Sequence, residues 1–346
     1  MISGYTESDA VVIERPGEVS FRKVRLHAVC PGAVVARTRL SAISSGTDMK
    51  TYFGLQPAQA LYYPCVPGYE NMGTVAAVDG ESPFSVGDRV MINECRRFGD
   101  VCAAWGGNVR YAIKDAVTAP SVFDYLANVP DNVSDRDAVL AYLACVVLKG
   151  LKRVPLHPGD TVVVVGAGMI GISALSILKL LEPAVTTACI ERNAFRRGIA
   201  AHYADHVFSV EEAVTQLAEL SGGKLADAVI ECSGNPEAVG GLHRYLKEGG
   251  WGHDDPPGHV HLQGDYPGRI VLDAYNFWFN KNCTITMSCA LGPGCKEQVL
   301  GWMSAGKFDT SHLPVEVWPV EQCAEAYRHK AEAGDDVFKI LLDWEA

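Results

Sequence analysis

The hydrophobic pattern of about the first 125 residues is that of a series of short β-strands. Stretches that alternate or run β-branched are predicted as strands: Ala10–Glu14, Val19–Val24, Val34–Ile43 and Gly73–Val78. Turn pairs such as Pro16-Gly17 and Pro31-Gly32 lie between them. Short strands at this spacing predict a small barrel or sandwich that forms a domain of its own.

From about residue 130 the period of the pattern changes. Asp135 to Lys152 is predicted as a helix, because its apolar residues at 139, 140, 143, 146, 147 and 151 share one face and Ser134 suits the N-cap. Predicted strands then alternate with predicted helices: strands Thr161–Val165, Val185–Ile190, His206–Phe208, Ala226–Cys232 and Val260–Gly264, and helices Ile172–Leu181, Asn193–Tyr203, Glu211–Leu220 and Glu237–Leu246. This alternation predicts a doubly wound parallel sheet, so the fold class is α/β. The elements after residue 292 are expected to return to the first domain.

A glycine-rich turn joins the first strand of this region to its helix. Gly166, Gly168 and Gly171 follow the apolar run Thr161–Val165 with the spacing G-x-G-x-x-G. The first glycine permits a tight turn, the second lets the backbone approach a pyrophosphate, and the third lets the helix pack on the sheet. The N–H groups of Met169 and Ile170 then lie at a helix N-terminus, which favours an anion. The stretch predicts a dinucleotide site.

The acidic residue expected of such a site is Glu191, which ends the next predicted strand. Its carboxylate can accept two hydrogen bonds from the hydroxyls of an adenosine ribose. A 2′-phosphate would meet a like charge there, so NAD is predicted over NADP. Arg192, Arg196 and Arg197 lie close behind and weaken that preference.

Composition limits the partners. A formal net charge of −11 over 346 residues disfavours nucleic acid and an anionic membrane surface, which would repel the chain. There is no apolar run long enough to span a membrane and no signal-peptide pattern, so a cytoplasmic protein with a small-molecule substrate is expected. The eleven cysteines show no C-x-x-C spacing, and most are expected to be buried, reduced thiols.

Five segments carry motifs of a known family: Leu40–Asp48 with I-S-S-G-T-D, Val66–Gly73 with V-P-G-Y-E, Val86–Val90, Asp227–Asn235 and Gly306–Asp309. Together they resemble the medium-chain dehydrogenase/reductases, the superfamily of alcohol and polyol dehydrogenases, and the similarity covers nearly the whole length. The I-S-S-G-T-D and P-G-Y-E variants most resemble the bacteriochlorophyllide a dehydrogenase group, which oxidises a secondary hydroxyethyl group with NAD.

The resemblance implies two domains with an active site in the cleft between them. We expect a GroES-like, β-rich catalytic domain at 1–128 with a C-terminal return at 292–346, and a Rossmann NAD-binding domain at 129–291. It also implies that Ser233 and Gly234 border the nicotinamide ribose. Gly166, Gly168 and Glu191 are then expected to contact the other parts of the same cofactor.

The chain departs from the family pattern where the family binds zinc. Ser45 stands at the position of a cysteine ligand, Tyr69 at that of a histidine, and the segment Ala141-Tyr142-Leu143-Ala144 replaces the third ligand. Only Glu70 remains, and one carboxylate does not hold zinc. The segment matching the structural zinc lobe keeps Cys95 and Cys102 alone of its four cysteines. No metal is expected at either site.

Without a metal, a side chain must exchange the proton of the substrate hydroxyl. Thr47 matches the family residue that hydrogen-bonds the reacting oxygen, and Lys50 falls where several relatives end a proton relay. We hypothesise that Tyr69 is the acid/base, its pKa depressed by nearby Lys50, with Thr47 and Ser45 positioning it. Equally open is that Tyr69 fills the volume of the missing zinc site and hydrogen-bonds Glu70. Lys50 alone is also open as proton donor or acceptor.

Two further features each have alternative interpretations. His253, His259 and His261, with Asp254 and Asp255 nearby, suggest a metal site, but a solvated insertion is the preferred interpretation. The aromatic residues between 266 and 279 suit either a pocket or an interdomain core.

Family members often pair their last Rossmann strand, and Thr284–Met287 alternates as an edge strand does. A homodimer is therefore expected. The function predicted is a zinc-independent, NAD-dependent dehydrogenase that interconverts a secondary alcohol (a sugar, a cyclitol or a hydroxyalkyl group) and its ketone. The alternatives are an enone or quinone reductase and a non-catalytic NAD(H)-binding protein.

Overall fold

The computed structural model describes residues 4–56, 63–114, 125–249, 252, 256–272 and 274–346. Its strands, in chain order, are β1 (Glu7–Arg15), β2 (Glu18–Arg25), β3 (Val34–Ile43), β4 (Cys65–Val66), β5 (Asn71–Val78), β6 (Arg89–Met91), β7 (Cys102–Ala103), β8 (Tyr111–Lys114), β9 (Ala127–Asn128), β10 (Thr161–Val165), β11 (Thr186–Ile190), β12 (His206–Phe208), β13 (Ala228–Glu231), β14 (His259–Leu262), β15 (Thr284–Met287), β16 (Val315–Pro319) and β17 (Lys339–Asp343).

The α-helices are α1 (Thr47–Tyr52), α2 (Asp135–Leu151), α3 (Met169–Leu181), α4 (Ala194–Ala200), α5 (Ala213–Leu220), α6 (Pro236–Gly240), α7 (Tyr275–Lys281), α8 (Cys295–Ser304) and α9 (Cys323–Ala333). Short 3₁₀ turns are formed by Leu242–Arg244, Val320–Gln322 and Gly334–Asp336. Within the described ranges, no helix is long and apolar enough to cross a membrane.

The predicted N-cap of α2 is confirmed, because Ser134 Oγ accepts a hydrogen bond from the backbone N–H of Asp137 at 3.1 Å. The helix predicted over Glu237–Leu246 was wrong in extent. It ends after five residues, and a 3₁₀ turn follows. The cause is the pair Gly240-Gly241, since glycine disfavours a helix interior by about 1 kcal/mol each.

The chain divides into two compact units. Unit 1 comprises 1–142, 296–306 and 314–346, and unit 2 comprises 143–295 and 307–313. The division falls inside α2, later than the predicted 128/129 boundary, because that helix runs on without a break.

Unit 1 is built from two sheets. One has the order β2-β1-β4-β7, and the other has the order β16-β17-β3-β5-β6-β9 with β8 also paired to β3. Strand β17 pairs antiparallel with β3, with Leu341 opposite Ala42, so the end of the chain is part of this sheet. Apolar side chains from β1, β3 and β17 are buried between the strands and α9, as Ile13, Ile43 and Ile340 show.

Unit 2 is a six-stranded sheet in the order β12-β11-β10-β13-β14-β15, and every neighbouring pair is parallel. The order reverses between β10 and β13, which is the switch point of a doubly wound fold. The valines of β10 are buried, as a strand covered on both faces requires. The predicted Rossmann sheet is confirmed.

Candidate functional site

The glycine-rich turn of unit 2 has the close contacts that its spacing predicts. Gly166 has φ +94°, and a Cβ on it would lie 2.8 Å from the Cα of Ser233. A Cβ on Gly171 would lie 1.8 Å from the carbonyl oxygen of Gly166. Neither position tolerates a side chain, so the turn after β10 packs directly on α3 and on the loop after β13.

Gly168 is different, because it faces open space. It caps the N-terminus of α3, and the nearest atom to a Cβ placed there would be a guanidinium nitrogen of Arg196 at 3.9 Å. Met169 and Ile170 are the first two residues of α3, so their backbone N–H groups lie at its N-terminus. An open backbone approach at a helix N-terminus with a guanidinium beside it fits the pyrophosphate of a dinucleotide.

Glu191 follows β11 and is 6% exposed. One carboxylate oxygen accepts from the N–H of Ala167 at 2.7 Å, and the other accepts from the N–H of Asn193 at 2.8 Å. Each oxygen retains a second lone pair for a ribose hydroxyl. The carboxylate therefore holds the glycine-rich turn as well as presenting acceptors at the end of β11.

The three arginines predicted near Glu191 lie in different surroundings. Arg197 donates to the backbone carbonyls of Glu191 and Arg192, at 3.0 and 2.7 Å, so it binds the segment that connects β11 to α4. Arg192 is exposed, and Arg196 lies beside Gly168.

In unit 1 a phenol lies among hydroxyl groups at the end of β3. Tyr69 is 8% exposed, and its hydroxyl lies 2.7 Å from Ser44 Oγ and donates to Thr47 Oγ1 at 3.3 Å. Its ring packs against Tyr142 and, edge on, against Trp105, at centroid distances of 5.0 and 5.9 Å. The two predicted residues Tyr69 and Thr47 are therefore brought together.

The predicted depression of the Tyr69 pKa was wrong. Burial raises the pKa of the phenol well above its usual value, and the carboxylates of Glu70 and Asp48 raise it further. Desolvation and nearby negative charge both oppose a phenolate. The hydroxyl of Tyr69 is therefore a neutral donor and acceptor at physiological pH.

The partner of Tyr69 is Ser44 and not Ser45. Ser44 is buried, whereas Ser45 and Gly46 are exposed where the chain turns into α1. Lys50 is partly buried in α1. Ser44 directly follows β3, and the residues on either side of it gave no sequence signal that separated it from Ser45.

The alternative in which Tyr69 hydrogen-bonds Glu70 was wrong, because Glu70 is paired with a lysine. Both of its oxygens lie 2.7 Å from Nζ of Lys339, and the pair is almost entirely buried. Asp48 accepts from the backbone N–H groups of Ser44 and Gly68, at 2.8 and 3.1 Å. Burial, aided by Glu70, raises the pKa of Asp48 to about 7.

These donors do not fit a zinc ion. The single carboxylate left at the family's zinc position is already neutralised by Lys339, and hydroxyl groups are poor zinc ligands beside the usual cysteine and histidine. Among the described residues, no group of three or more His, Cys, Asp or Glu side chains is arranged to hold a metal.

The interpretation of the histidines as a solvated insertion was wrong for two of them. His259 and His261 are buried in β14, and both share the hydroxyl of Thr286 on β15, each at 2.8 Å. Burial lowers the pKa of His261 to about 4. The strand predicted at Val260–Gly264 begins one residue earlier, at His259, and is buried along its whole length, so both histidines lie inside the unit. His253, Asp254 and Asp255 lie outside the described residues.

Sequence reasoning missed Glu231 as an individual residue. It ends β13, is fully buried, and accepts hydrogen bonds from the hydroxyls of Ser233 and Tyr266. A charged residue that ends an otherwise apolar central strand was the available signal.

A six-stranded, doubly wound parallel sheet is a fold that binds dinucleotides at its switch point, but a fold alone does not establish an activity. The family model of the alcohol dehydrogenase GroES-like domain matches residues 30–131. The chain is 25% identical to 2-desacetyl-2-hydroxyethyl bacteriochlorophyllide A dehydrogenase of Cereibacter sphaeroides, over 97% of this chain and 98% of that protein. It is 27% identical to D-xylulose reductase of Saccharomyces cerevisiae, over 71% of this chain and 74% of that protein.

Among solved structures, 2R,3R-butanediol dehydrogenase from Bacillus subtilis shares the fold. Its TM-score is 0.79 at 19% identity, with 97% of this chain and 99% of that chain covered. The family model, the curated relatives and the solved structures support the medium-chain dehydrogenase/reductase superfamily, and the resemblance stated from the sequence motifs is confirmed. The chain is accordingly an oxidoreductase of the medium-chain type.

Proposed function

We propose that this chain is an NAD(H)-dependent, zinc-independent enzyme that interconverts a secondary alcohol and its ketone by hydride transfer. The observation that carries the proposal is the buried phenol of Tyr69, which is hydrogen-bonded to Ser44 and Thr47. Tyr69 stands at the sequence position of a zinc-binding histidine in the family pattern. The similar proteins named above are a dehydrogenase of a hydroxyethyl-bearing bacteriochlorophyllide, a reductase of D-xylulose and a dehydrogenase of 2R,3R-butanediol. A sugar, a cyclitol or a hydroxyalkyl group is the proposed substrate class.

The bound nicotinamide would supply the hydride acceptor and donor. The chain's own task is to hold the reacting oxygen and to move its proton. Thr47 is partly exposed and is the proposed contact to the substrate oxygen. Tyr69 is more deeply buried and contacts Thr47. In the oxidation direction the substrate proton passes to the Thr47 hydroxyl while Thr47 passes its own proton to the phenol oxygen, so the hydrogen bond that Tyr69 donates to Thr47 reverses its direction.

The raised pKa of Tyr69 assigns it a relay role. A neutral phenol accepts one proton and gives up another without becoming an anion, and Ser44 Oγ at 2.7 Å is its further partner. Lys50 follows Thr47 by one turn of α1 and is proposed to link the relay to solvent water, which takes up the proton in the oxidation direction. Ser44 and Asp48 act as positioning residues, since Asp48 binds the N–H of Ser44.

NAD is proposed over NADP because of Glu191. Its carboxylate is fixed at the end of β11 by Ala167 and Asn193, so a 2′-phosphate would approach a carboxylate that has little freedom to turn away. Ser233 and Gly234, after β13, are proposed to border the nicotinamide ribose.

A homodimer is proposed through β15. This strand is the last in the sheet order, and Met287 on it is 62% exposed. An edge with unpaired backbone groups is a template for a second copy. Light scattering of the purified protein tests this, with Ile285→Pro expected to give the monomer because proline removes a ladder donor.

The experiment that tests the main proposal is metal analysis of the purified protein combined with NAD and NADP calorimetry and a panel of secondary alcohols. The expected result is no zinc, tighter binding of NAD, and turnover of at least one polyol, cyclitol or hydroxyalkyl substrate. Stoichiometric zinc would contradict zinc independence. Tight cofactor binding without turnover across the panel would favour a non-catalytic NAD(H)-binding protein.

A further inference from the structure

A carboxylate is buried at the carboxyl end of the central strand β13. Glu231 is 0% exposed, and burial raises its pKa. One oxygen accepts from both the N–H of Ser233, at 2.9 Å, and the hydroxyl of Ser233. The other accepts from the hydroxyl of Tyr266. Hydroxyl and N–H groups, and not solvent, surround this carboxylate.

These bonds hold two loops together. Ser233 belongs to the loop after β13, and Tyr266 belongs to the loop after β14. Between them Gly264 approaches so closely that a Cβ on it would lie 3.0 Å from the Cα of Gly234 and 3.1 Å from a carboxylate oxygen of Glu231. The backbone N–H of Gly264 also donates to the carbonyl of Glu231 at 3.1 Å. Glu231 is thus the centre about which both loops pack.

The same loops meet the dinucleotide turn. The Cα of Ser233 lies 2.8 Å from where a Cβ of Gly166 would be, so the backbone after β13 lies directly against the backbone after β10. A displacement of Ser233 would therefore be felt at Gly166. β10 and β13 flank the switch point of the sheet, where ligands bind at the carboxyl ends of the strands.

The two halves of a dinucleotide lie on opposite sides of that switch point. Glu191 marks the adenosine side, because it ends β11. The nicotinamide half then runs over the ends of β13 and β14, where the Glu231 bonds lie.

We propose that Glu231, with Tyr266 and Ser233, is a positioning residue for the nicotinamide half of the cofactor. Glu231 acts by fixing the loops after β13 and β14 and does not itself contact the reacting atoms. This inference rests on the proposed dinucleotide function. It predicts that the network matters for NADH and not for a ligand that lacks the nicotinamide riboside.

The test compares Tyr266→Phe with the wild-type protein by titration of NADH and of ADP, which lacks the nicotinamide riboside, without substrate. Loss of one hydrogen bond to a buried carboxylate should weaken NADH binding by roughly tenfold. ADP binding should stay within about twofold. Tyr275→Phe is the matched control, because Tyr275 lies in the same unit and is 68% exposed, and it should bind both ligands as wild type does.

A second pair of variants covers the case in which Tyr266→Phe fails to fold. Ser233→Ala should reproduce the selective loss of NADH affinity, and Ser233→Thr, which keeps a hydroxyl, should restore most of it. Equal weakening of NADH and ADP binding, or no weakening of either, would overturn the inference. A wild-type protein that binds neither NADH nor NADPH would instead overturn the dinucleotide proposal.

Discussion

Lys339 and Glu70 form a buried ion pair in which Nζ lies 2.7 Å from each carboxylate oxygen. Their side chains are 1% and 0% exposed. Lys339 begins β17 and Glu70 directly precedes β5, so the pair joins the end of the chain to the segment that carries Tyr69. The one carboxylate that survives at the family's zinc position therefore has a structural partner.

Removing one member of the pair should be costly. Lys339→Met leaves the Glu70 carboxylate buried and unpaired, and we expect the free energy of unfolding in urea to fall by about 3–5 kcal/mol. The control is Lys23→Met, because Lys23 is an exposed partner of Glu7 at 4.0 Å and should cost less than about 1 kcal/mol. In the double variant Glu70→Gln/Lys339→Met the loss should be well below the sum of the single losses. Additive losses would mean that the two side chains do not stabilise one another.

Tyr69→Phe tests the proposed relay. It removes the hydroxyl between Ser44 and Thr47 but keeps the ring packed on Trp105 and Tyr142, so kcat should fall by about 10²-fold or more while NADH binding is unchanged. Tyr111→Phe, in β8 of the same unit, is the control and should be as active as wild type. An activity of Tyr69→Phe within about twofold of wild type would exclude the phenol from proton transfer.

The elements could be predicted where local pattern decides the structure. Val34–Ile43 and Thr161–Val165 were predicted with the bounds observed, because alternating or continuous apolar and β-branched positions favour a strand over a helix. The G-x-G-x-x-G turn was predicted because its spacing is local. Of its contacts, that of Gly171 with Gly166 lies within the turn, whereas Gly166 also meets Ser233 of the loop after β13.

The sequence could not predict which side chains far apart in the chain would contact each other. Glu70 and Lys339 are separated by 269 positions, and nothing local to either names the other. The pKa of Tyr69 was predicted in the wrong direction because it depends on burial and on which charges surround the phenol. Lys50 was assumed to dominate it, whereas Glu70 and Asp48 are the charges that raise it. A spacing does not determine the electrostatic environment of a site.

His261 should contribute a loss of stability in mild acid. Its folded pKa of about 4 lies below the unfolded value of 6.5, so the unfolded state binds the proton more tightly. The stabilisation is complete above pH 6.5 and is lost as the pH falls towards 4, a change of about 3 kcal/mol. In urea unfolding between pH 7 and pH 4, the free energy of unfolding of His261→Asn should therefore rise relative to that of wild type as the pH falls.

The variant must be compared with wild type at each pH, because Asp48 acts in the opposite sense. The folded pKa of Asp48, about 7, exceeds its ordinary value of 3.8. The stabilisation that Asp48 contributes is therefore complete below pH 3.8 and is lost as the pH rises towards 7. His27→Asn, at an exposed histidine, is the control and should keep the wild-type slope. An unchanged slope in His261→Asn would place the acid sensitivity elsewhere.

One substitution at two helical glycines separates crowding from helix propensity. In Gly171→Ala the new Cβ would lie 1.8 Å from the carbonyl oxygen of Gly166, so α3 must move away from the turn. We expect a lower melting temperature and a loss of NADH affinity of at least about tenfold, since that turn forms the proposed pyrophosphate site. In Gly198→Ala, within α4, the Cβ meets no atom within 4 Å, and alanine should stabilise the helix by about 0.5–1 kcal/mol. Calorimetric melting and NADH fluorescence titration of both variants measure the two effects, and a Gly171→Ala protein that binds NADH like wild type would show that the turn does not hold the cofactor.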